Sequence, residues 1–197
     1  MVGLNYLVTI LELVAAILGF IYVYFIATER SIGWLFGILS AFFYAIFFYL
    51  MSTVGLFSQQ VAYIILGFYG LISWSANKEP LPIRSIGFSV WKWILLAVLL
   101  GLIFATVIKL AAASKNNSVI VPNSREILDA QFFIFSILAT WLTTRKILEN
   151  WHIWIVVNIV GVIWFSTEHW WSTALLYFGY LLLAINGLRK WKKQLAE

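Results

Sequence analysis

The chain has no cysteine, two histidines and three prolines in 197 residues, and only 11% of it is charged. Without cysteine it can form neither disulfides nor thiolate metal sites. His152 and His169 are too few for a metal centre built on imidazoles. The sequence also holds no His-Glu-x-x-His run, no phosphate-cradling glycine loop and no nucleophile–base pairing. No metal, cofactor or catalytic residue is therefore expected, and nothing supports catalysis. Pro80, Pro82 and Pro122 fall in two polar stretches, so none needs to kink a helix.

What fills the sequence instead is apolar: 63% of residues are hydrophobic and mean hydropathy is +0.94. No single soluble core could bury that much apolar surface, so lipid must serve as solvent. Apolar runs lie at 5–27, 32–51, 57–75, 88–112, 127–144, 152–166 and 170–188. Each approaches the roughly 20 residues that a spanning helix needs. The expectation is an all-α integral membrane protein of seven transmembrane helices, one domain over 1–197. The opening MVGLNYLV lacks the basic stretch of a cleaved signal peptide and reads as the start of the first span.

The net charge of +5 could suit nucleic acid, but the basic residues flank apolar helices, where they set topology. With seven spans, one face collects Arg30, Lys78, Arg84, Lys92, Arg145, Lys146, Arg189, Lys190, Lys192 and Lys193. The other collects Lys109, Lys115 and Arg125. The excess places the C-terminus in the cytoplasm and the N-terminus outside.

Sliding the sequence by 117 residues superposes Trp34 on Trp151, Tyr63 on Tyr180, Gly70 on Gly187, Trp74 on Trp191 and Glu12 on Asp129. These residue types are rare, and the register holds without a gap across three helices. The expected architecture is 3+1+3: a first repeat at 1–75, a linker helix at 88–112 and a second repeat at 126–191. An offset of four spans makes the repeats parallel, a transporter plan with its site at the repeat interface near mid-membrane.

The sixth span opens with Trp151-His-Ile-Trp154-Ile-Val-Val-Asn158. Spacings of three and four align Trp151, Trp154 and Asn158 on one helical face. Two indoles and an amide on one stripe suit a flat aromatic ligand, and a cationic ring gains roughly 0.5–2 kcal/mol from each indole face. The structural alternative is an interfacial aromatic belt with a packed amide, and Trp151 is near enough to the span's end to join one. In the first repeat the positions matching Trp154 and Asn158 are Gly37 and Ala41. That contrast suggests a clamp on one side and free space on the other.

The third span aligns Gln60, Tyr63, Gly67, Gly70 and Trp74, and the seventh aligns Tyr177, Tyr180, Ala184, Gly187 and Trp191. Their small residues mark close helix packing, while Gln60, Tyr63 and Tyr180 are ligand candidates. Glu12 and Asp129 cost about 2.5–3.5 kcal/mol each at a helix centre. They read either as structural carboxyls stapling neighbouring helices or as a site for ion coupling. Lys92 and Lys109 read as snorkelling side chains, and Glu29, Glu149 and Glu168 as solvated loop charges. Asn116-Asn117-Ser118 fits a glycosylation sequon. A retinal receptor would need a lysine midway along the seventh span, and none precedes Lys190. An intramembrane enzyme would have only Glu12 and Asp129 to work with.

Several stretches resemble the PnuC-type vitamin transporter family. They are Glu12-Leu-Val-Ala-Ala-Ile-Leu-Gly19 with Tyr22-Val-Tyr24, Gln60-Val-Ala-Tyr63, Tyr69-Gly70-x-x-x-Trp74, Asp129-Ala130 with Ser136, and the run from Arg145 to Asn158. Leu71 departs from the Tyr-Gly-Trp common among such relatives. The resemblance implies a 3+1+3 fold like that of the SWEET sugar transporters, assembled as a homotrimer in the cell inner membrane. It implies uptake of nicotinamide riboside, or alternatively thiamine or riboflavin, by facilitated diffusion, with a cytosolic kinase trapping the vitamin. On this sequence Trp151 and Trp154 would stack the ring, and Asn158 and Gln60 would bond its polar edge or ribose. Without a clear basic cluster along the path, the charge pattern disfavours a nucleotide.

Overall fold

The computed structural model describes residues 2–51, 54–76, 81–116, 121–167, 169 and 171–197. Lys78, Glu168 and the last two residues of the Asn116-Asn117-Ser118 sequon lie outside them. Seven helices run in order: α1 Val2–Ala27, α2 Gly33–Leu50, α3 Val54–Ser75, α4 Val90–Asn116, α5 Ser124–Thr144, α6 Asn150–Thr167 and α7 Trp171–Ala196. All seven expected apolar runs are helical, and the described residues contain no strand, only an isolated bridge between Arg84 and Ile147.

Six of the helices, α1 to α6, are long and apolar enough to cross a membrane. The seventh is 26 residues long but mixes Asn186, Arg189 and Lys190 into its second half, which dilutes its apolar character. The helices overrun the apolar runs because backbone hydrogen bonding continues past the last apolar residue. Thus α7 carries on through Lys192 and Lys193 to Ala196. At the start of α5, Asn123 accepts from the Glu126 amide and Glu126 reaches back to the Asn123 amide. This capping box fixes the helix where the apolar pattern had not yet begun.

Neighbours in the bundle are α1 with α2, α2 with α3, α5 with α6 and α6 with α7; α1 also packs on α7, and α3 on α5. Among the described residues, the fourth helix packs on α5 and on the short 3-10 turn Gly87–Ser89 that leads into it. Gln131 of α5 lies against Gly101 and donates to the Val98 carbonyl at 3.0 Å, and Lys109 pairs with Glu126 at 2.8 Å. Lys109 is therefore an ion-pair partner rather than a snorkelling side chain.

Small residues set the close approaches. A Cβ added at Gly70 would run into the Trp34 indole, and one at Gly187 into the Trp151 indole. The same packing thus recurs at positions 117 residues apart. Trp34 meets Trp74 edge-on at 5.5 Å, and Trp151 meets Trp191 edge-on at 5.3 Å. These four indoles form one buried cluster with Ile26, Ala27, Leu148 and Ala184.

Over this cluster runs the stretch of residues 81–87 ahead of α4. Its Leu81 and Ile83 pack on the indoles, and its Arg84 amide donates to the Lys146 carbonyl at 3.1 Å. Glu149 anchors the segment by accepting from the Ser85 hydroxyl at 2.5 Å and the Gly87 amide at 2.9 Å. Burial alone would raise the Glu149 carboxyl, but the Ser85 hydroxyl and the amides of Ile86 and Gly87 outweigh it and hold the group below the ordinary glutamate value. Neither Glu149 nor Glu29 is the solvated loop charge that its sequence position suggests. Glu29 accepts an ion pair from the buried Lys146 at 2.7 Å.

Candidate functional site

Helix α6 turns one stripe inward. Trp151, Asn158 and Gly161 are buried and Trp154 is half-buried, while His152, Val156, Ile159 and Ile163 on the other faces are exposed. The three-and-four spacing of the sequence thus becomes a single interior face. Trp151 is only 2% exposed, seated on Gly187 and edge-on to Trp191, so it is not an interfacial belt residue. Its indole nitrogen is buried without a partner among the described residues. Trp154, one turn on, touches both buried clusters of the bundle.

The first repeat handles the matching position differently, and not as free space. A Cβ at Gly37 would come within 2.7 Å of the Tyr22 ring. The counterpart of Tyr22 in the second repeat is Ala139. Bulk has therefore changed helices: the first repeat has tyrosine on α1 facing glycine on α2, and the second has alanine on α5 with tryptophan on α6. The expected clamp facing an empty wall is corrected to an exchange of volume between the repeats.

Further along the stripe, Gly161 leads into a cluster of tyrosines. A Cβ at Gly161 would strike the Tyr177 ring, and Tyr177 meets Tyr180 edge-on at 6.4 Å. Tyr180 stacks on Phe20 at 4.8 Å, with its hydroxyl over Gly19. Tyr63 receives a hydrogen bond from Gln59 at 3.0 Å and shares another with Ser136. The hydroxyls of Tyr44, Tyr63 and Tyr177 all lie within electrostatic reach of Tyr180. Gln60 is buried beside Gln59 at the start of this cluster.

Sequence reasoning picked out Tyr63, Tyr180 and Gln60 but passed over Gln59 and Tyr44. The four-residue step from Gln59 to Tyr63 carried the signal for the first. Tyr44 stands at the position matching Gly161, a second bulky-for-small exchange of the kind already visible at Gly37 and Trp154.

Glu12 and Asp129 sit at the end of the bundle opposite Glu29 and Lys146. Glu12 precedes the buried Ala15 and Gly19 by three and seven residues, so it shares their inward face, yet it is exposed. Asp129 likewise shares a face with the buried Ser136 and Thr140 and is exposed. Glu12 lies within electrostatic reach of the Tyr44 hydroxyl, at the edge of the tyrosine cluster.

A membrane bundle whose interior presents indoles, amides and hydroxyls, with carboxylates toward one end, has the chemistry of a small-molecule path. A family model described as nicotinamide mononucleotide transporter matches residues 9–193. The chain belongs to that family. The nicotinamide riboside transporter PnuC of Escherichia coli is 24% identical over 92% of this chain and 84% of that protein. The corresponding transporter of Neisseria mucosa is 26% identical over 91% of this chain and 71% of that protein. A crystal structure of the vitamin B3 transporter PnuC shares the fold with a TM-score of 0.68, covering 94% of this chain and 82% of that one at 24% identity.

Membership in this transporter family makes the chain a multi-pass membrane transporter and not an enzyme.

Proposed function

We propose that the chain takes up nicotinamide riboside through a path between two parallel three-helix units, α1–α3 and α5–α7, joined by α4. In this reading all seven helices span the inner membrane in a 3+1+3, SWEET-like arrangement, with the N-terminus outside and the C-terminus cytoplasmic. The repeated Trp–Gly packing and the two seams, α3 against α5 and α7 against α1, support that arrangement. The observation that carries the functional reading is the inward stripe of α6. There Trp154 offers a stacking face and Asn158 an amide, and the stripe ends on the tyrosines.

The pyridinium ring would stack on Trp154, with the seated Trp151 flooring the pocket. Asn158 would bond the carboxamide. Gln60, Tyr63 and Tyr180 would bond the ribose hydroxyls, where uncharged donors and acceptors serve best. Transport is then facilitated diffusion by alternating access, and phosphorylation by a cytosolic kinase traps the product. The subunits assemble as a homotrimer in this reading, as the family resemblance implies.

The nucleoside is preferred over the nucleotide because the described cations near the path sit against a carboxylate or aromatic rings. Arg125 lies over Trp164 at 5.4 Å, and the Arg145 Nε, buried without a hydrogen-bond partner among the described residues, is packed between two rings. Lys146 is paired with Glu29, and Arg145 is held over Tyr69 at 5.5 Å and Trp141 at 5.6 Å. The test is a titration of purified protein with nicotinamide riboside, its mononucleotide, thiamine and riboflavin, following tryptophan quenching. Tightest binding by the riboside is the expected result. Preference for the mononucleotide would overturn the charge argument, and preference for thiamine or riboflavin would reassign the cargo.

A further inference from the structure

At the end of the bundle rich in lysine and arginine, residues touch their own counterparts from the other repeat. Glu29 and Lys146, 117 residues apart, form the 2.7 Å ion pair. Both hold left-handed backbone, at φ 57° and φ 50°. Trp74 and Trp191 are related by the same shift, and their ring centroids are 6.2 Å apart. The Lys146 ammonium lies 4.7 Å from the centroid of Trp74. A residue that meets its own counterpart lies on the axis relating the two copies. These contacts therefore close the centre of the bundle at this end, while at the other end the carboxylates of Glu12 and Asp129 are exposed.

The two seams flanking this closure differ. Along α3 and α5, the Trp74 indole N–H donates to the Thr144 carbonyl at 3.1 Å and the Ser73 hydroxyl donates to it at 3.3 Å. The segment over the indoles adds backbone bonds from Arg84 to Lys146 and from Leu148 to Arg84. Along α7 and α1 the matching residues are Trp191, Lys190 and Ala27. There the Trp191 nitrogen is buried with no partner among the described residues, and Lys190 reaches over the Tyr24 ring at 5.7 Å instead. The α3–α5 seam carries these hydrogen bonds across it, and the α7–α1 seam is the weaker of the two.

We propose that the Glu29–Lys146 pair latches the barrier at the basic end, and that this end opens by parting α1 from α7 while α3 and α5 act as the hinge. The proposal rests on the transport reading, since alternating access requires one end to close while the other opens. Left-handed backbone at two non-glycine residues persists only where the surroundings hold it, and such positions gather at switch regions. Parting α1 from α7 separates Glu29 from Lys146 and Trp191 from Trp74. The α3–α5 seam keeps its hydrogen bonds throughout.

The absence of native cysteine makes the test direct, since any introduced pair holds the only thiols in the chain. Ala27→Cys with Lys190→Cys bridges one seam, and the repeat-related pair Ser73→Cys with Thr144→Cys bridges the other. Each is cross-linked with a short bis-methanethiosulfonate, which forms a disulfide at each cysteine with loss of sulfinate, and uptake is compared in the cross-linked and reduced forms, scored by gel mobility. The Ala27–Lys190 bridge should reduce uptake at least about tenfold, reversibly, and the Ser73–Thr144 bridge should leave it within about twofold. Equal loss from both bridges, or no loss from the first, overturns the one-sided opening.

The latch is tested without substrate, by maleimide labelling of Ala184→Cys beneath the indoles. Adding Lys146→Met should speed labelling from the basic face by about fivefold or more, and the charge swap Glu29→Lys with Lys146→Glu should bring it back. Unchanged labelling in the Lys146→Met protein overturns the latch. Because labelling needs no vitamin, a wrong cargo would show as absent uptake with these accessibility changes intact.

Discussion

The two three-helix units agree where they pack and disagree where a ligand would lie. At the basic end Trp34 on Gly70 and Trp151 on Gly187 are the same contact made twice, each indole edge-on to the next. At mid-bundle Tyr22 and Gly37 stand against Ala139 and Trp154, Ala41 against Asn158, and Tyr44 against Gly161. A repeat that only needed to pack could have kept one solution in both copies. In the proposed arrangement, holding the mechanical end in common while exchanging bulk between helices at the centre would give one asymmetric pocket inside a symmetric frame, which suits an asymmetric ligand.

The largest effect should come from making the centre less asymmetric. Trp154→Ala removes the stacking face while its counterpart is already Gly37, so both units become small at that position. Loss of an aromatic wall of this size is worth about 3 kcal/mol, or roughly a hundredfold in affinity for the riboside. Uptake at low substrate should fall accordingly, with membrane insertion unchanged. Near-normal affinity in this variant would remove Trp154 from the site and leave the exchange of bulk as packing alone.

The frame can be broken at either copy, and the two breaks should match. Gly70→Ala and Gly187→Ala each push a methyl into an indole that rests on other buried indoles. Overpacking of this kind costs about 1–3 kcal/mol. Thermal unfolding in detergent should show losses of similar size for both variants. Loss at one position with tolerance at the other would mean that the shared packing is only apparent, and the repeat would no longer support a common frame.

Much of this was legible because lipid simplifies the code. Each apolar run became a helix, since a spanning segment must satisfy its backbone internally. The shift of 117 brought together residues whose contacts recur in the structure. The inward face of α6 followed from spacing alone, but which inward residues are packing and which are free for a ligand did not. Trp151 and Trp154 look alike in sequence, and only the position of Gly187 shows that the first is seated in a cluster of four indoles. Charges near helix ends were the least legible. Glu29, Lys109 and Glu149 all sit where solvated side chains are normal, and their partners lie 117, 17 and 62–64 residues away. No local pattern encodes such pairings. The segment that covers the indoles is short, polar and proline-containing, so its role shows only once the Arg84 bridge and the Glu149 carboxylate are in place.

The smallest effect distinguishes the two turns. Position 149 is a buried glutamate in the second unit, and its counterpart in the first is the exposed Ile32. Only one turn therefore anchors a covering segment through an ionised side chain. The folded structure holds the Glu149 carboxyl below the ordinary glutamate value, so the unfolded chain takes up its proton first as pH falls. Its contribution is fully present above the unfolded value and is lost as pH drops through the folded one. Glu149→Gln keeps the shape but gives up the charge, which should cost about 1 kcal/mol in neutral buffer. The difference in melting temperature between wild type and variant should shrink steadily on acidification and vanish once the wild-type carboxyl is protonated. A difference that persists at low pH would show that the side chain acts through its packing, and the asymmetry between the two turns would then owe nothing to charge.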